Sequence, residues 1–145
     1  AFGWRGVRGG ASETSLARLD KNTKAADHHW PLTAAGSVVV LVARSNIPGL
    51  RAARLAATEW ASDSLPGIHI AGLVVMADAP GRLPKDIRDF ARVVGWGVPH
   101  MWQFPWIDGW RYGHNVTAEE LPKGARTTRE QVHIAVTATA ELTAK

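Results

Sequence analysis

The sequence has 145 residues and contains no cysteine. This excludes disulfide bonds, thiolate metal ligands and a thiol nucleophile. Long hydrophobic runs are also missing, because the two longest apolar stretches, residues 38–42 and 68–77, are much shorter than the roughly 20 residues that cross a bilayer. The first residues contain no basic segment followed by a hydrophobic signal core. These absences predict a soluble, cytoplasmic protein with no membrane partner.

The chain also lacks any block of lysine and arginine that would form a basic arm. Its formal net charge is +4, and its 46% apolar and 21% charged residues are typical of a globular protein. The net positive charge permits contact with nucleic acid, but it is equally common in proteins that are only basic on their surface. The length fits one domain. We predict a single domain over 1–145, with a core of about 1–114 and a C-terminal loop and helix over 115–145.

The most specific feature is a glycine loop at residues 8–15, Arg-Gly-Gly-Ala-Ser-Glu-Thr-Ser. It follows a short apolar stretch and precedes a helix-like run at 16–19. A strand, a glycine turn and a helix N-terminus together hold phosphates on backbone N–H groups. However, the position at which such loops carry a phosphate-binding lysine holds Glu13. The alternative interpretation is a tight turn in which Ser12 or Thr14 only caps the helix.

Downstream, continuous apolar runs alternate with segments of helical periodicity. Strands are predicted at residues 37–43, 68–77 and 100–104, in addition to the one before the glycine loop. Helices are predicted at residues 48–64, 84–94 and 127–145, the last one capped by Thr127 or Thr128. The β-branched runs without alternation are typical of strands buried on both faces of a parallel sheet. The order predicts an α/β fold: a doubly wound, mostly parallel sheet of about four to five strands with flanking helices.

The glycine loop resembles the deviant Walker A motif of the MinD/ParA class of P-loop ATPases, K-G-G-x-G-K-[ST]-[ST]. Gly9 and Gly10 match its glycines, Thr14 and Ser15 match its hydroxyl pair, and Arg8 stands at the signature lysine. The resemblance continues over residues 4–112. It implies a P-loop NTPase-like fold in which these residues, together with Ser12 at the last glycine, form a phosphate or anion loop.

The whole chain is most similar to a family of short, uncharacterised proteins of actinobacterial plasmids and integrative elements. The shared motifs are A-D-A-P-G-R-L-P at residues 77–84 and P-W-x-x-x-W-R-x-G at residues 105–113. This resemblance implies a role accessory to the transfer, partition or maintenance of a mobile genetic element.

Departures from the ATPase pattern argue against catalysis. The motif's second lysine neutralises the β- and γ-phosphates, whereas a carboxylate about 4 Å from a phosphate charge is repelled by about 4 kcal/mol at a surface-like dielectric. The magnesium-associated aspartate has no counterpart, and the base-binding asparagine falls on Met76. We therefore predict a catalytically degenerate binding or regulatory protein that needs no cofactor and binds a protein partner or a second copy of itself. The alternative is a nucleotide switch that binds ATP and magnesium through Arg8 and the loop backbone.

Aromatic residues are concentrated late in the chain, which has seven tryptophans. Because Trp, Tyr and Arg dominate protein interfaces, a candidate interaction surface is formed by Trp106, Trp110, Arg111 and Tyr112. The alternative is that these side chains cover the end of the sheet.

Basic residues recur at helical spacing in the segment that follows residue 81. The residues are Arg82, Lys85, Arg88 and Arg92. Their spacing predicts either a phosphate-contacting stripe of a small nucleic-acid-binding protein or a solvated face beside two aspartates.

Other polar residues give weaker signals. His28 and His29 do not have zinc-ligand spacing with His114, so no metal is predicted. Asp78 and Asp86 follow a predicted strand, at the edge where α/β sheets bind ligands, but Asp78 is also a common turn former.

Overall fold

The structure is a computed structural model that describes residues 2–6, 23–25 and 37–144, the first two ranges as backbone alone. The strands are β1 (Phe2–Gly6), β2 (Thr23–Ala25), β3 (Ser37–Arg44), β4 (Ile68–Met76) and β5 (Met101–Phe104). The helices are α1 (Ile47–Ala61), α2 (Lys85–Gly95), the single-turn α3 (Asp108–Arg111) and α4 (Lys123–Thr143), with a 3-10 turn at Ala118–Glu120.

All strands pair in parallel, in the order β2-β1-β3-β4-β5. The α/β class with a parallel sheet and flanking helices is thus confirmed. The part of the sheet whose side-chain packing is described has three strands, β3 to β5, fewer than the four to five predicted. β1 and β2 extend it by backbone pairing. No strand was predicted at β2, because three residues are too few to show a periodicity.

The central strand β3 is buried on both faces, which explains why its sequence lacks alternation. One face holds Val38, Val40 and Val42 and is covered by α4 together with Phe104 of β5. The opposite face presents Val39, Leu41 and Ala43 to α1 and α2. The helices therefore lie on both sides of the sheet.

Helix α1 begins after Asn46, whose side chain accepts a hydrogen bond from the Gly49 N–H at 2.8 Å, as an N-cap does. The predicted end of the helix is wrong, because the helix ends at residue 61 and not at the expected 64. Leu55 is 66% exposed although its side chain is apolar. Leu55 lies about 200° around the helix from the buried Ala53, since each residue adds 100°.

Helix α4 begins four residues before the predicted start, so the predicted cap is also wrong. Its N-cap is Pro122. Thr128 instead lies inside the helix, is buried, and donates a hydrogen bond to the Gln103 carbonyl at 3.1 Å. The capping box occurs upstream, where Thr117 and Glu120 bracket the 3-10 turn. The early start brings Ala125 into the core, completely buried.

Candidate functional site

The carboxyl ends of β1, β3, β4 and β5 lie along one edge of the sheet. In doubly wound sheets, ligands bind at this edge, where the strand order reverses. Here the reversal lies between β1 and β3, and Gly6, the last residue of β1, pairs with Val42. The glycine loop continues the chain from β1. Its predicted site residues lie outside the described residues, and they are Arg8, Gly9, Gly10, Ser12, Thr14 and Ser15.

Three polar residues meet at this edge and form what we call the edge network: Ser45, Asn46 and Asp78. The Ser45 hydroxyl donates to Oδ1 of Asp78 at 3.0 Å. The Asn46 amide donates to Oδ2 at 3.1 Å. In return, the Asp78 N–H donates to the Ser45 hydroxyl at 3.0 Å. The network joins the end of β3 to the end of β4, which are more than 30 residues apart in sequence.

The groups of the edge network are directed at one another. Each carboxylate oxygen of Asp78 accepts a hydrogen bond from the end of β3. The Asn46 side chain spans two elements, because its carbonyl oxygen caps α1 while its amide group binds Asp78. Ser45 is only 5% exposed, so its hydroxyl depends on protein partners. The arrangement fixes the geometry of the edge and engages both oxygens of the Asp78 carboxylate in hydrogen bonds within the fold.

Sequence reasoning found Asp78 but missed its partners. A Ser-Asn pair directly after a buried strand is a usable signal, because both residues hydrogen-bond backbone and cap helices. Asp86, the second predicted acid, lies apart from the network. It is exposed in the first turn of α2 and makes no hydrogen bond or ion pair with another described residue.

The predicted aromatic surface divides into two parts. The Arg111 guanidinium lies over the Trp106 ring, 5.0 Å from its centroid, in a cation–π contact. Tyr112 is 67% exposed and lies against His114. These side chains border solvent, whereas the Trp110 ring stacks on Phe104 at 5.7 Å and packs against the core.

The Trp110 indole N–H is an unusual feature of this packing. It is buried and, among the described residues, has no hydrogen-bond partner. By contrast, the Trp60 indole N–H donates to the Ile68 carbonyl at 2.9 Å. Burial without a partner costs about 1 to 3 kcal/mol. Trp110 therefore contributes its ring to the core, together with a polar group that no other described residue satisfies.

The predicted basic stripe follows the exposed side of α2. Lys85 donates a hydrogen bond to Asp89 at 2.6 Å, and Arg92 lies 3.8 Å from the same carboxylate. The hydrogen bond from Lys85 lowers the pKa of Asp89, desolvation opposes this shift, and the positive charges of Lys85, Arg92 and Arg88 lower the pKa further. Asp89 is therefore anionic at neutral pH and partly neutralises the stripe.

A family model described as a family of unknown function (DUF6668) matches residues 3–129. The chain belongs to this family. The matched range contains the glycine loop, the edge network, the aromatic surface and the first residues of α4. No curated protein and no solved structure matches the chain. Membership in this family assigns no activity.

Two kinds of feature are absent from the described part of the chain, a cluster of metal ligands and a membrane-spanning helix. None of its described residues form a group of three or more His, Asp or Glu side chains that could hold a metal ion. Within the same residues, no helix is long and apolar enough to cross a bilayer. His114 contacts Tyr112, while His28 and His29 lie outside the described residues.

Proposed function

We propose that this protein is a catalytically inactive, P-loop-like binding or regulatory protein. The observation that carries the proposal is the edge network. At the edge where a nucleotide enzyme would present an acidic side chain to a metal or to water, both oxygens of Asp78 accept hydrogen bonds from Ser45 and Asn46. An acid held in this way stabilises the fold and is a poor candidate for catalysis.

The sequence at the same edge supports the proposal. Glu13 stands at the position of the phosphate-binding lysine, in a loop that continues directly from β1. Its charge opposes phosphate binding by about 4 kcal/mol at about 4 Å. Arg8 and the loop backbone are the remaining groups that could bind an anion.

The partner in this proposal is a protein or a second copy of the chain. It would contact the exposed part of the aromatic surface, Trp106, Arg111 and Tyr112, whose residue types dominate interfaces. The resemblance to proteins of plasmids and integrative elements supports a role in transfer, partition or maintenance of such an element.

The test is a titration of ATP and ADP with magnesium, monitored by intrinsic tryptophan fluorescence and by calorimetry. We expect no saturable binding at micromolar nucleotide and no ATP hydrolysis. Glu13→Lys should gain at least tenfold in nucleotide affinity, because it replaces repulsion by attraction and each 1.4 kcal/mol is about tenfold. Glu141→Lys is the matched control, since it makes the same charge change on the exposed last turns of α4.

Two results would overturn the proposal in different ways. Micromolar binding of ATP with magnesium by the unaltered chain, lost in Arg8→Ala, would establish the nucleotide switch instead. A Glu13→Lys variant that folds normally but gains no more affinity than Glu141→Lys would refute the assigned register of the glycine loop, and with it the P-loop-like ancestry.

A further inference from the structure

Helix α2 has one face in the core and one face in solvent. Ala91 and Val94 are buried against α1 and the sheet. The opposite side carries Lys85, Arg92 and Trp96. Counted from Lys85, the other two residues are 7 and 11 positions along the helix, and with 3.6 residues per turn these spacings bring all three onto one side. Because the core already covers the apolar side, only the solvent side can contact a partner.

The charge on this side is predominantly positive. Four bases lie on or just before the helix, Arg82, Lys85, Arg88 and Arg92, against two acids. Arg82 and Arg88 make no ion pair with another described residue. Lys85 and Arg92 share one exposed carboxylate, that of Asp89. Exposed ion pairs contribute little net free energy, so a polyanion can compete for both bases.

The same side ends on an unusually exposed tryptophan. Trp96 is the C-cap of α2 and is 77% exposed. Arg92 is one turn earlier, about 6 Å along the helix axis at a rise of about 1.5 Å per residue. A π-face beside a row of cations is the combination with which proteins bind single-stranded nucleic acid: the cations contact phosphates, and the bases stack on the aromatic ring.

We propose that this surface, which we call the α2 basic face (Arg82, Lys85, Arg88, Arg92 and Trp96), binds single-stranded nucleic acid. A single strand fits better than a duplex, because the indole can stack only on a base that is not already stacked on both sides. A membrane surface fits poorly, because an interfacial helix inserts its apolar side, and here that side is buried in the core. The inference is independent of the glycine loop and of the proposed function.

The test uses the full chain and a fluorescein-labelled 20-nucleotide oligothymidine, followed by fluorescence anisotropy at several NaCl concentrations. A duplex of equal length is titrated in parallel. Trp96→Ala should weaken single-strand binding by about 5- to 150-fold at fixed salt, the range for loss of one stacked base, and Trp96→Phe should recover most of the loss. Arg88→Gln with Arg92→Gln should lower the slope of log K against log[salt] by about 1.4, at about 0.7 per phosphate contact.

Asp89→Asn should change the affinity for the single strand in the opposite direction. It removes the carboxylate that Lys85 and Arg92 share, so it should strengthen binding and steepen the salt dependence. Simple damage to the fold would not improve affinity.

Matched controls lie on the other side of the sheet. Lys123→Gln with Arg126→Gln removes two exposed charges from α4, and Leu142→Ala removes an exposed apolar side chain from the same helix. Both should bind like the unaltered chain. The inference is refuted if these controls weaken binding as much as the α2 variants, if Trp96→Ala has no effect, or if the duplex binds as tightly as the single strand. It is equally refuted if the unaltered chain does not bind the oligonucleotide at low salt.

Discussion

Replacing Asp78 by alanine removes the carboxylate that connects the ends of β3 and β4. Two hydrogen bonds are lost, those from Ser45 and Asn46. Hydrogen bonds to a charged group contribute about 1.5 to 3 kcal/mol each. In this variant, water can take the place of the lost carboxylate as the hydrogen-bond partner of the half-buried Asn46. Water can hardly do so for the hydroxyl of Ser45, which is buried. We therefore expect a loss of about 2 to 3 kcal/mol in the free energy of unfolding.

The measurement is urea-induced unfolding followed by far-UV circular dichroism, with a thermal scan for comparison. For a chain of 145 residues, the entropy of unfolding is about 0.3 kcal/mol per degree, so the loss corresponds to about 7 to 10 °C in Tm. A double-mutant cycle with Ser45→Ala should give a coupling free energy of about 1 to 2 kcal/mol, because the two side chains share one interaction. Asp86→Ala is the control, and it should change stability by less than about 1 kcal/mol, since it removes only a helix N-terminal charge.

The reasoning fails if Asp78→Ala is as stable as the unaltered chain, or more stable. Residues that act on ligands often reduce stability, so removing them commonly stabilises a protein. That result would make Asp78 a ligand-binding residue and would remove the observation on which the proposed function depends.

Two further predictions concern packing and are measured by the same unfolding assay. Gly72→Ala should cost about 1 to 3 kcal/mol, because a Cβ at this position would lie 2.5 Å from the ring of Trp102 and 2.7 Å from a backbone carbonyl. Gly124 lies in helix α4, and a Cβ there would be 3.9 Å from the nearest atom. Gly124→Ala should therefore stabilise the protein by up to about 1 kcal/mol, and equal effects of the two glycine substitutions would contradict the packing. Trp60→Phe should lower the free energy of unfolding by about 1 to 2 kcal/mol more than Trp110→Phe. The reason is that the Trp60 N–H loses a hydrogen bond, whereas the Trp110 N–H has no partner among the described residues. A larger loss for Trp110→Phe would show that the Trp110 N–H is satisfied.

The elements with the strongest local patterns were predicted well. The strand predicted at 37–43 is Ser37–Arg44, and the one predicted at 68–77 is Ile68–Met76. Their β-branched runs are continuous because both faces are buried. Helix boundaries were less accurate, since Thr127 and Thr128 are good capping residues that compete with the actual start after Pro122. Burial of Ala125 against the sheet stabilises the additional N-terminal turn of α4.

The candidate site was only partly predictable. Asp78 could be found, because an acid that follows a buried strand lies at the ligand-binding edge of a parallel sheet. Its contacts with Ser45 and Asn46 could not be predicted, because these residues are more than 30 positions away in sequence and reach Asp78 only through the pairing of β3 with β4. The aromatic surface shows the same limit, since spacing alone does not tell that Trp110 faces the core while Tyr112 faces solvent.

The sequence by itself determined the α/β class, the parallel strands and the positions of the main helices, because these depend on local hydrophobic periodicity. It also determined that the glycine loop carries a negative charge at Glu13, because charge is a property of the residue. The tertiary structure decided what the polar and aromatic side chains do. Only the packed sheet places Asp78 between two hydrogen-bond donors and buries one side of α2, leaving its cations and Trp96 together in solvent. The first relation joins residues more than 30 positions apart, and the second depends on which side of α2 packs against α1 and the sheet, which lie elsewhere in the sequence.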